Sequence, residues 1–84
     1  MNNFLEFIEN KIKNNIKIEN IIVTDNSIYH QKHKSFDAKK YHLRLEIESI
    51  YLSSLDKIKA HREIMTVLSE ELKYKIHALE IKII

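Results

Sequence analysis

The spacing of hydrophobic residues at the start of the chain predicts a helix followed by a strand. Apolar side chains recur every three or four residues from Asn2 or Asn3, a suitable helix cap, to about Asn14, which indicates one buried helix face. The residues of that face are Phe4, Leu5, Ile8 and Ile12. The β-branched residues between Ile16 and Thr24 favour a first strand. The chain therefore begins with the order helix, strand.

The segment from Tyr41 to Ser49 has the clearest strand pattern, because hydrophobic and polar residues alternate along it without a break. The side chains expected to point inward are Tyr41, Leu43, Leu45 and Ile47. The side chains expected to point outward are His42, Arg44, Glu46 and Glu48. We therefore expect His42 to be exposed.

The second half of the chain is predicted to form a helical region and a last strand. Ser53 and Ser54 are suitable caps, so we expect a short helical turn near residues 54–57 and then a main helix that ends at about Lys73. The apolar stripe of this region follows three- and four-residue steps and comprises Ile58, His61, Met65, Leu68 and Leu72. The predicted order of elements is αββααβ, with the helices covering one face of a small mixed sheet.

The last strand, predicted from Lys75 to Ile84, carries a histidine near its beginning. With a side-chain period of two, His77 shares the core-facing side with Leu79, Ile81 and Ile83. The residues expected to point the other way are Ile76, Ala78, Glu80 and Lys82. The pattern thus places His77 where the core face begins, with one ring nitrogen able to reach the rim of the sheet.

Length and composition are typical of one small globular domain, which we assign to residues 1–84. Hydrophobic residues make up 44% and charged residues 31% of the 84 positions, a balance that argues against disorder. The net charge is only +2, and 14 basic residues are interleaved with 12 acidic ones, so the charge neither requires nor excludes an anionic partner. No apolar run is long enough for a membrane span or a signal peptide, and we expect a cytoplasmic protein.

Two residue types that are missing from the chain exclude several kinds of chemistry. Without Cys there are no disulfides, thiolate nucleophiles or cysteine metal sites in the chain. Without Gly there is no P-loop, dinucleotide-binding GxGxxG turn or GxSxG elbow. No local motif supports a Ser-His-Asp triad either, so we expect a protein that is not an enzyme. Any metal must be held by His and carboxylates, or shared with another molecule.

The five histidines are the main candidates for chemistry. His30 and His33 form an H-x-x-H pair in the polar segment from Asp25 to Lys40, and loops longer than about 12 to 15 residues are often functional. Imidazole is a common ligand for transition metals, but outside a helix this spacing fixes no geometry. His30 and His33 are therefore either metal ligands or solvated loop residues. In the same way, His77 is either a satisfied core residue or a ligand, and His61 on the apolar stripe has a core or supporting role.

Several short motifs follow one another in a fixed order from Val23 onward. They are Asp25-x-Ser27 with His30, His42-Leu43-Arg44-Leu45, Ser49, Ala60-His61-Arg62, Leu68-Ser69-Glu70-Glu71-Leu72 and Ile76-His77-Ala78-Leu79. In order and spacing the chain resembles the BolA-like family, and the last motif is the most specific. The chain departs from the family pattern at Ala60, where the family usually has Arg, and at Leu43, where it usually has Phe.

The resemblance implies an α+β, class II KH-like αββααβ fold, with a three-stranded mixed sheet and helices packed on one face. KH domains hold nucleotides with a GXXG loop, which a chain without Gly does not have. BolA-like proteins partner monothiol glutaredoxins and share a [2Fe-2S] cluster with them, for which the glutaredoxin and glutathione supply thiolates. Carried over to this sequence, the resemblance implies His77 and His30 as the cluster ligands, with His33 as an alternative loop ligand.

The resemblance thus implies a non-enzymatic adaptor or regulator in iron–sulfur cluster handling or iron sensing. Such a protein forms a heterodimer with a monothiol glutaredoxin, and we expect it to be a monomer without a cluster when isolated. An alternative function is a DNA-binding transcriptional regulator of morphology or stress genes, supported by the basic residues Lys57, Lys59, Arg62 and Lys73. The expected contacts to a partner or to nucleic acid are Arg62, Lys59 and His61. A third alternative is an α/β module that binds another protein through a sheet edge or the long loop.

Overall fold

The computed structural model describes residues 3–26 and 41–84 of the chain. In chain order the elements are α1 (Asn3–Asn15), β1 (Asn20–Asp25), β2 (Tyr41–Glu48), α2 (Ile50–Ser53), α3 (Lys57–Val67), α4 (Ser69–Tyr74) and β3 (Ile76–Ile83). The strands form one sheet in the order β1-β2-β3, in which β1 and β2 are antiparallel and β2 and β3 are parallel. The predicted α+β fold with a three-stranded mixed sheet is thus confirmed.

One hydrophobic core joins the helices to one face of the sheet. The core comprises Ile8, Ile12, Ile16, Ile21, Leu43, Leu45, Ile47, Leu52, Ala60, Ile64, Leu68 and Ile76. The predicted inward faces of α1 and β2 are confirmed, because Ile8 and Ile12 are fully buried and Leu43, Leu45 and Ile47 are at most 2% exposed. Within the described ranges no helix is long and apolar enough to cross a membrane. The expected cytoplasmic location stays a prediction.

The first strand begins later than its composition predicts. Ile16 is buried, but its backbone N–H donates to the Ile12 carbonyl at 2.9 Å and so extends the end of α1. Strand β1 begins only at Asn20. The β-branched residues before it are buried or half-buried by packing against the core rather than by pairing in the sheet. The predicted start of the strand at Ile16 was therefore wrong.

The caps of the helical region are Ser49 and Asp56, not Ser53 and Ser54. The Ser49 hydroxyl accepts a hydrogen bond from the Leu52 N–H at 3.0 Å, and the Asp56 carboxylate accepts one from the Lys59 N–H at 2.9 Å. Each cap satisfies a main-chain donor that has no partner within its helix. Consequently the short helix lies four residues earlier than predicted, and the region that follows is divided at Leu68 into α3 and α4.

The buried stripe of α3 also differs from the predicted one. Ile58 is 65% exposed and Met65 is 47% exposed, whereas Ala60, Ile64 and Leu68 are buried. Two apolar stripes are possible on this helix, and both include Leu68. The stripe that packs in the core is Ala60, Ile64 and Leu68. Its residues are four positions apart, and the first of them has the smallest apolar side chain. His61 is therefore only half-buried at the margin of the core.

Candidate functional site

The last strand contains a β-bulge at its beginning. Tyr41 of β2 lies opposite Ile76 of β3, but the next residue, His42, lies opposite Ala78. His77 is thus an additional residue on β3 without a partner in the register of β2. Bulges are rare between parallel strands, and they redirect the side chains that follow them.

The bulge reverses the predicted orientation of the first two residues of β3. Ile76 is 3% exposed and belongs to the core, whereas His77 is exposed. Beyond the bulge Leu79 is half-buried against the core, in agreement with the prediction for that part of the strand. The prediction that His77 lies on the core face was wrong, because a strict period of two has no place for an additional residue.

Among the residues that the structure describes, His42 of β2 has its ring in contact with that of His77. Its ring centroid lies 5.0 Å from that of His77, with an angle of 41° between the two ring planes. His42 is 5% exposed, so the prediction of an exposed His42 was also wrong. It lies on the expected face, opposite Leu43 and Leu45. Alternation in a strand predicts which face a side chain is on, but not whether that face is covered.

A small cavity of about 190 Å³ lies beside His42. Its lining residues are Asn26, His42, Leu43, Ala78, Leu79 and Glu80. Farther along the same face Arg44 forms an ion pair with Glu46, at 3.6 Å between Nε and Oε1. Arg44 lies opposite Glu80, and Glu46 lies opposite Lys82, so the charges on this face alternate in sign. The face has no strong bias toward a cation or an anion.

Of the two predicted cluster ligands and their alternative, only His77 lies within the described residues. His30 and His33 lie outside them. The described ends that flank this stretch are both attached to the sheet next to the bulge. The Asn26 N–H donates to the His42 carbonyl at 2.6 Å, and the Tyr41 N–H donates to the Lys75 carbonyl at 2.8 Å. The chain therefore departs from the sheet and returns to it near the position of His77.

The described residues provide no complete metal site. Within residues 3–26 and 41–84, no group of three or more His, Asp or Glu side chains is arranged to hold a metal ion. In this part of the chain, the rings of His42 and His77 are in contact with each other. Any ion bound there would take its other ligands from water or from another molecule.

The predicted contact residues of α3 lie in two other places. Lys59 is exposed at the beginning of the helix, and Arg62 lines a groove of about 480 Å³ together with Lys17 and Glu63. His61 lines a separate cavity of about 430 Å³. Neither cavity includes His42 or His77 in its lining.

In the groove of Arg62, a tyrosine is paired with a carboxylate. The Tyr51 hydroxyl donates a hydrogen bond to Oε1 of Glu63 at 2.6 Å. This bond raises the pKa of the Tyr51 phenol above its usual value, since it favours the protonated hydroxyl. Glu63 and Arg62 both line this groove, so the negative charge of Glu63 lowers the positive potential there.

Comparisons with known proteins agree with this architecture. The family described as BolA-like protein matches residues 12–84. The BolA domain of SufE1 from Arabidopsis thaliana superposes with a TM-score of 0.83 at 29% identity, over 99% of this chain and 92% of that one. BolA1 from Arabidopsis thaliana superposes with a TM-score of 0.81 at 24% identity, and the match covers 99% of this chain and 92% of that one. BolA1 from Mus musculus superposes with a TM-score of 0.77 at 23% identity, and the match covers 98% of this chain and 64% of that one. Among curated proteins, none matches the chain.

Proposed function

The chain belongs to the BolA-like family, and on this premise we propose that it is a non-enzymatic adaptor or regulator in iron–sulfur cluster handling or iron sensing. It shares a [2Fe-2S] cluster with a monothiol glutaredoxin, with which it forms a heterodimer. The observation that carries the proposal is the exposure of His77 at the bulge of β3. An imidazole at that position is accessible to a second protein, whereas one in the core would not be.

The donor groups of the chain fit such a cluster. Iron in these clusters is held by thiolates or, in Rieske-type centres, by two histidines on one iron. This chain has no Cys, so its contribution must come from imidazole, while the glutaredoxin and glutathione supply the thiolates. His77 is one ligand. When bound, the cluster supplies one-electron redox chemistry at a potential that imidazole ligands raise.

The second ligand that we propose is His30, with His33 as the alternative. The described chain leaves the sheet at Asn26, whose N–H is bonded to the carbonyl of His42 beside His77. His30 follows Asn26 by four residues, and four residues of extended chain span at most about 14 Å. The segment that carries His30 and His33 therefore leaves the sheet at the end where His77 lies.

The experiment is to mix the isolated chain with a cluster-loaded monothiol glutaredoxin and to record visible circular dichroism, which reports the ligands of the cluster. We expect the unchanged chain to alter the spectrum and His77→Ala to leave the glutaredoxin spectrum as it was. Lys13→Ala is the control, because it removes an exposed side chain of α1 that is not among the expected partner contacts. His30→Ala and His33→Ala identify the loop ligand.

Two results would contradict the proposal. If the unchanged chain leaves the spectrum of the glutaredoxin unaltered, the two proteins share no cluster. If His77→Ala alters the spectrum as the unchanged chain does, a cluster complex forms but His77 is not a ligand. Size-exclusion chromatography of the mixture separates these cases, since a complex without a shared cluster still elutes as a heterodimer.

The exposed cations of α3 support a second candidate function, that of a DNA-binding regulator. Within the described part of the chain, the ion pairs involve Lys11, Lys13 and Arg44 and leave out Lys59 and Arg62. Binding to phosphates would fall steeply with salt concentration. We expect Arg62→Gln to reduce both the affinity for duplex DNA and its salt dependence, and Lys13→Gln to change neither. Absence of duplex binding at low salt would remove this candidate.

A further inference from the structure

The outer edge of β3 is an unpaired sheet edge within the part of the chain that the structure describes. The strands of this part are ordered β1-β2-β3, so β3 has β2 on one side and none of the described strands on the other. We propose that two copies of the chain pair through this edge, β3 against β3 in antiparallel orientation, and form one continuous sheet. The family resemblance implies a monomer for the isolated chain, whereas this edge favours a dimer at high concentration. The proposal goes beyond cluster sharing and does not depend on it.

The hydrogen bonds of β3 show which of its main-chain groups face outward. Directly after the strand, the Ile84 N–H donates to the Ile47 carbonyl of β2 at 2.8 Å. The main-chain groups of successive strand residues point alternately to the two sides of the strand, so every second residue before Ile84 faces away from β2. The residues that face away are Leu79, Ile81 and Ile83. A row of such N–H and C=O groups is a template for another strand.

The charges on the exposed face of β3 suit pairing about a two-fold axis at Ile81. With this axis, Ile81 lies opposite its counterpart in the second copy and Leu79 lies opposite Ile83. Each of these outward-facing pairs exchanges two main-chain hydrogen bonds. The exposed residues Glu80 and Lys82 then lie opposite each other twice, at the positions between the hydrogen-bonded pairs, where opposite side chains are closest.

Other registers of the same edge lose this match. An axis at Glu80 places the two glutamates opposite each other, and an axis at Lys82 does the same with the two lysines. Like charges directly opposite each other destabilise a sheet. An axis at Leu79 or Ile83 loses the pair of opposite charges altogether. The charges therefore favour the axis at Ile81.

The charged rows of the sheet continue across such a junction. Within one copy Arg44 lies opposite Glu80, and Glu46 lies opposite Lys82. With the axis at Ile81, one row runs from Arg44 and Glu80 of the first copy to Lys82 and Glu46 of the second, and its charges alternate in sign. The two-fold axis repeats this row in the opposite direction. A contact that is complementary to itself is what a two-fold dimer requires.

The core-facing side of β3 has apolar surface that a second copy would cover. Leu45 and Ile47 of β2 are fully buried, whereas Ile81 and Ile83, which lie opposite them, are only half-buried. These two isoleucines line a cavity of about 430 Å³ together with residues of α2 and α3. Opposite residues of an antiparallel pair share a face, so the second copy brings its own apolar side chains to this side. Pairing thus buries apolar surface as well as the open edge, which favours association.

A different explanation for Glu80 and Lys82 is that they protect the edge. Charged side chains on an edge strand, lysine above all, hinder pairing with another chain. If this is their role, the chain is a monomer at every concentration. The two explanations therefore differ in a measured mass.

The first measurement is sedimentation equilibrium of the isolated, unchanged chain from micromolar to millimolar concentration. We expect the mass to rise from that of one chain to that of two. Hydrogen exchange followed by NMR then locates the contact. The amide protons of Leu79, Ile81 and Ile83 should exchange more slowly at the high concentration, and those at the outer edge of β1 should keep their rates. Both measurements use the unchanged chain, so they decide the proposal even if a variant fails to fold.

Two charge reversals give a sharper test. Lys82→Glu and Glu80→Lys each place like charges opposite each other twice, so each alone should weaken dimerisation about tenfold or more. An equal mixture of the two variants again has opposite charges at both places, and it should dimerise as the unchanged chain does. Lys13→Glu makes the same change of charge on an exposed residue of α1 and should leave the dimer unaffected. Far-ultraviolet circular dichroism shows whether each variant is folded.

Four results would overturn the proposal. They are the mass of a single chain up to millimolar concentration, slower exchange that leaves out the amides of the β3 edge, a dimer that neither reversal weakens, and a mixture of folded variants that associates no better than either alone. Because no glutaredoxin is present, none of these results bears on cluster sharing. Conversely, a glutaredoxin spectrum that the chain does not alter leaves the measured mass valid, so the two proposals fail independently.

Discussion

The bulge at the beginning of β3 makes neighbouring residues behave in opposite ways when they are replaced by alanine. Ile76 is 3% exposed and packs in the core, and His77 beside it is exposed. Ile76→Ala should therefore destabilise the fold, and His77→Ala should not. In a strand without the bulge, His77 would share the core side with Leu79 and the effects would be exchanged.

The expected magnitudes are well separated. Replacing a buried isoleucine by alanine costs about 2 to 5 kcal/mol, and the edge strand favours the lower half of that range. A domain of this size has a free energy of unfolding of roughly 4 to 13 kcal/mol. Ile76→Ala should therefore still fold, with a Tm lower by roughly 8 to 24 °C for a loss of about 2 to 3 kcal/mol. An exposed substitution such as His77→Ala should change the free energy of unfolding by less than about 0.5 kcal/mol.

Urea denaturation followed by far-ultraviolet circular dichroism measures both variants against the unchanged chain. The slope of unfolding free energy with urea should be the same for all three, which would show that only stability changed. Ile76→Val is a milder control and should cost about 0.5 to 1.5 kcal/mol. The reasoning is refuted if His77→Ala costs as much as Ile76→Ala, or more, because the bulge would then not exist in solution.

Three further outcomes follow from contacts elsewhere in the fold. Ser49→Ala should cost about 1 to 2 kcal/mol in urea denaturation, since its buried hydroxyl both caps α2 and donates to a main-chain carbonyl at 2.8 Å. Lys11→Met should cost about 1 kcal/mol by the same measurement, because it removes the ammonium 2.8 Å from Glu71, whose side chain is only 11% exposed. Glu63→Gln should lower the pKa of Tyr51 toward 10.0 in a spectrophotometric titration of tyrosinate, since the carboxylate is the main cause of the raised pKa.

Each of these outcomes has a matched control. Asp56→Ala removes an exposed cap and should cost no more than about 1 kcal/mol, so an equal or smaller loss for Ser49 would contradict the importance of its burial. Lys13→Met removes an exposed ion pair and should cost less than about 0.5 kcal/mol. Tyr51→Phe should remove the transition that Glu63→Gln displaces. Because the raised pKa belongs to the folded state, any stabilisation from this bond is present below the unfolded pKa and is lost as the pH rises through the folded pKa.

The elements with an unbroken pattern could be predicted from the sequence. In α1 the spacing of Ile8 and Ile12 is sufficient to identify the buried face, and in β2 the alternation of Leu43, Leu45 and Ile47 does the same. In both cases the polar positions between the apolar ones are charged or amide side chains. No second apolar face competes for packing in the core, so the local pattern and the core packing agree.

The prediction failed where two arrangements satisfy the same pattern. On α3 the stripe through Ile58 and the stripe through Ala60 are both apolar, and only packing against the sheet decides between them. At Ile76 and His77 an inserted residue changes the phase of the strand, which alternation alone does not register. The proximity of His42 and His77 depends on that register and on the pairing of two strands far apart in the chain. The sequence alone does not show which strands pair or in which register, so it gives no signal for this proximity.

The bulge also determines how the last strand can change its length. Because Ile76 and Leu79 both point toward the core with two residues between them, deleting Ala78 would leave an ordinary alternating strand with the same core contacts. Deleting a residue beyond Leu79 would instead force that leucine or its successors to the other side of the sheet. The bulge can thus be gained or lost by a single-residue insertion or deletion, and the core need not be repacked.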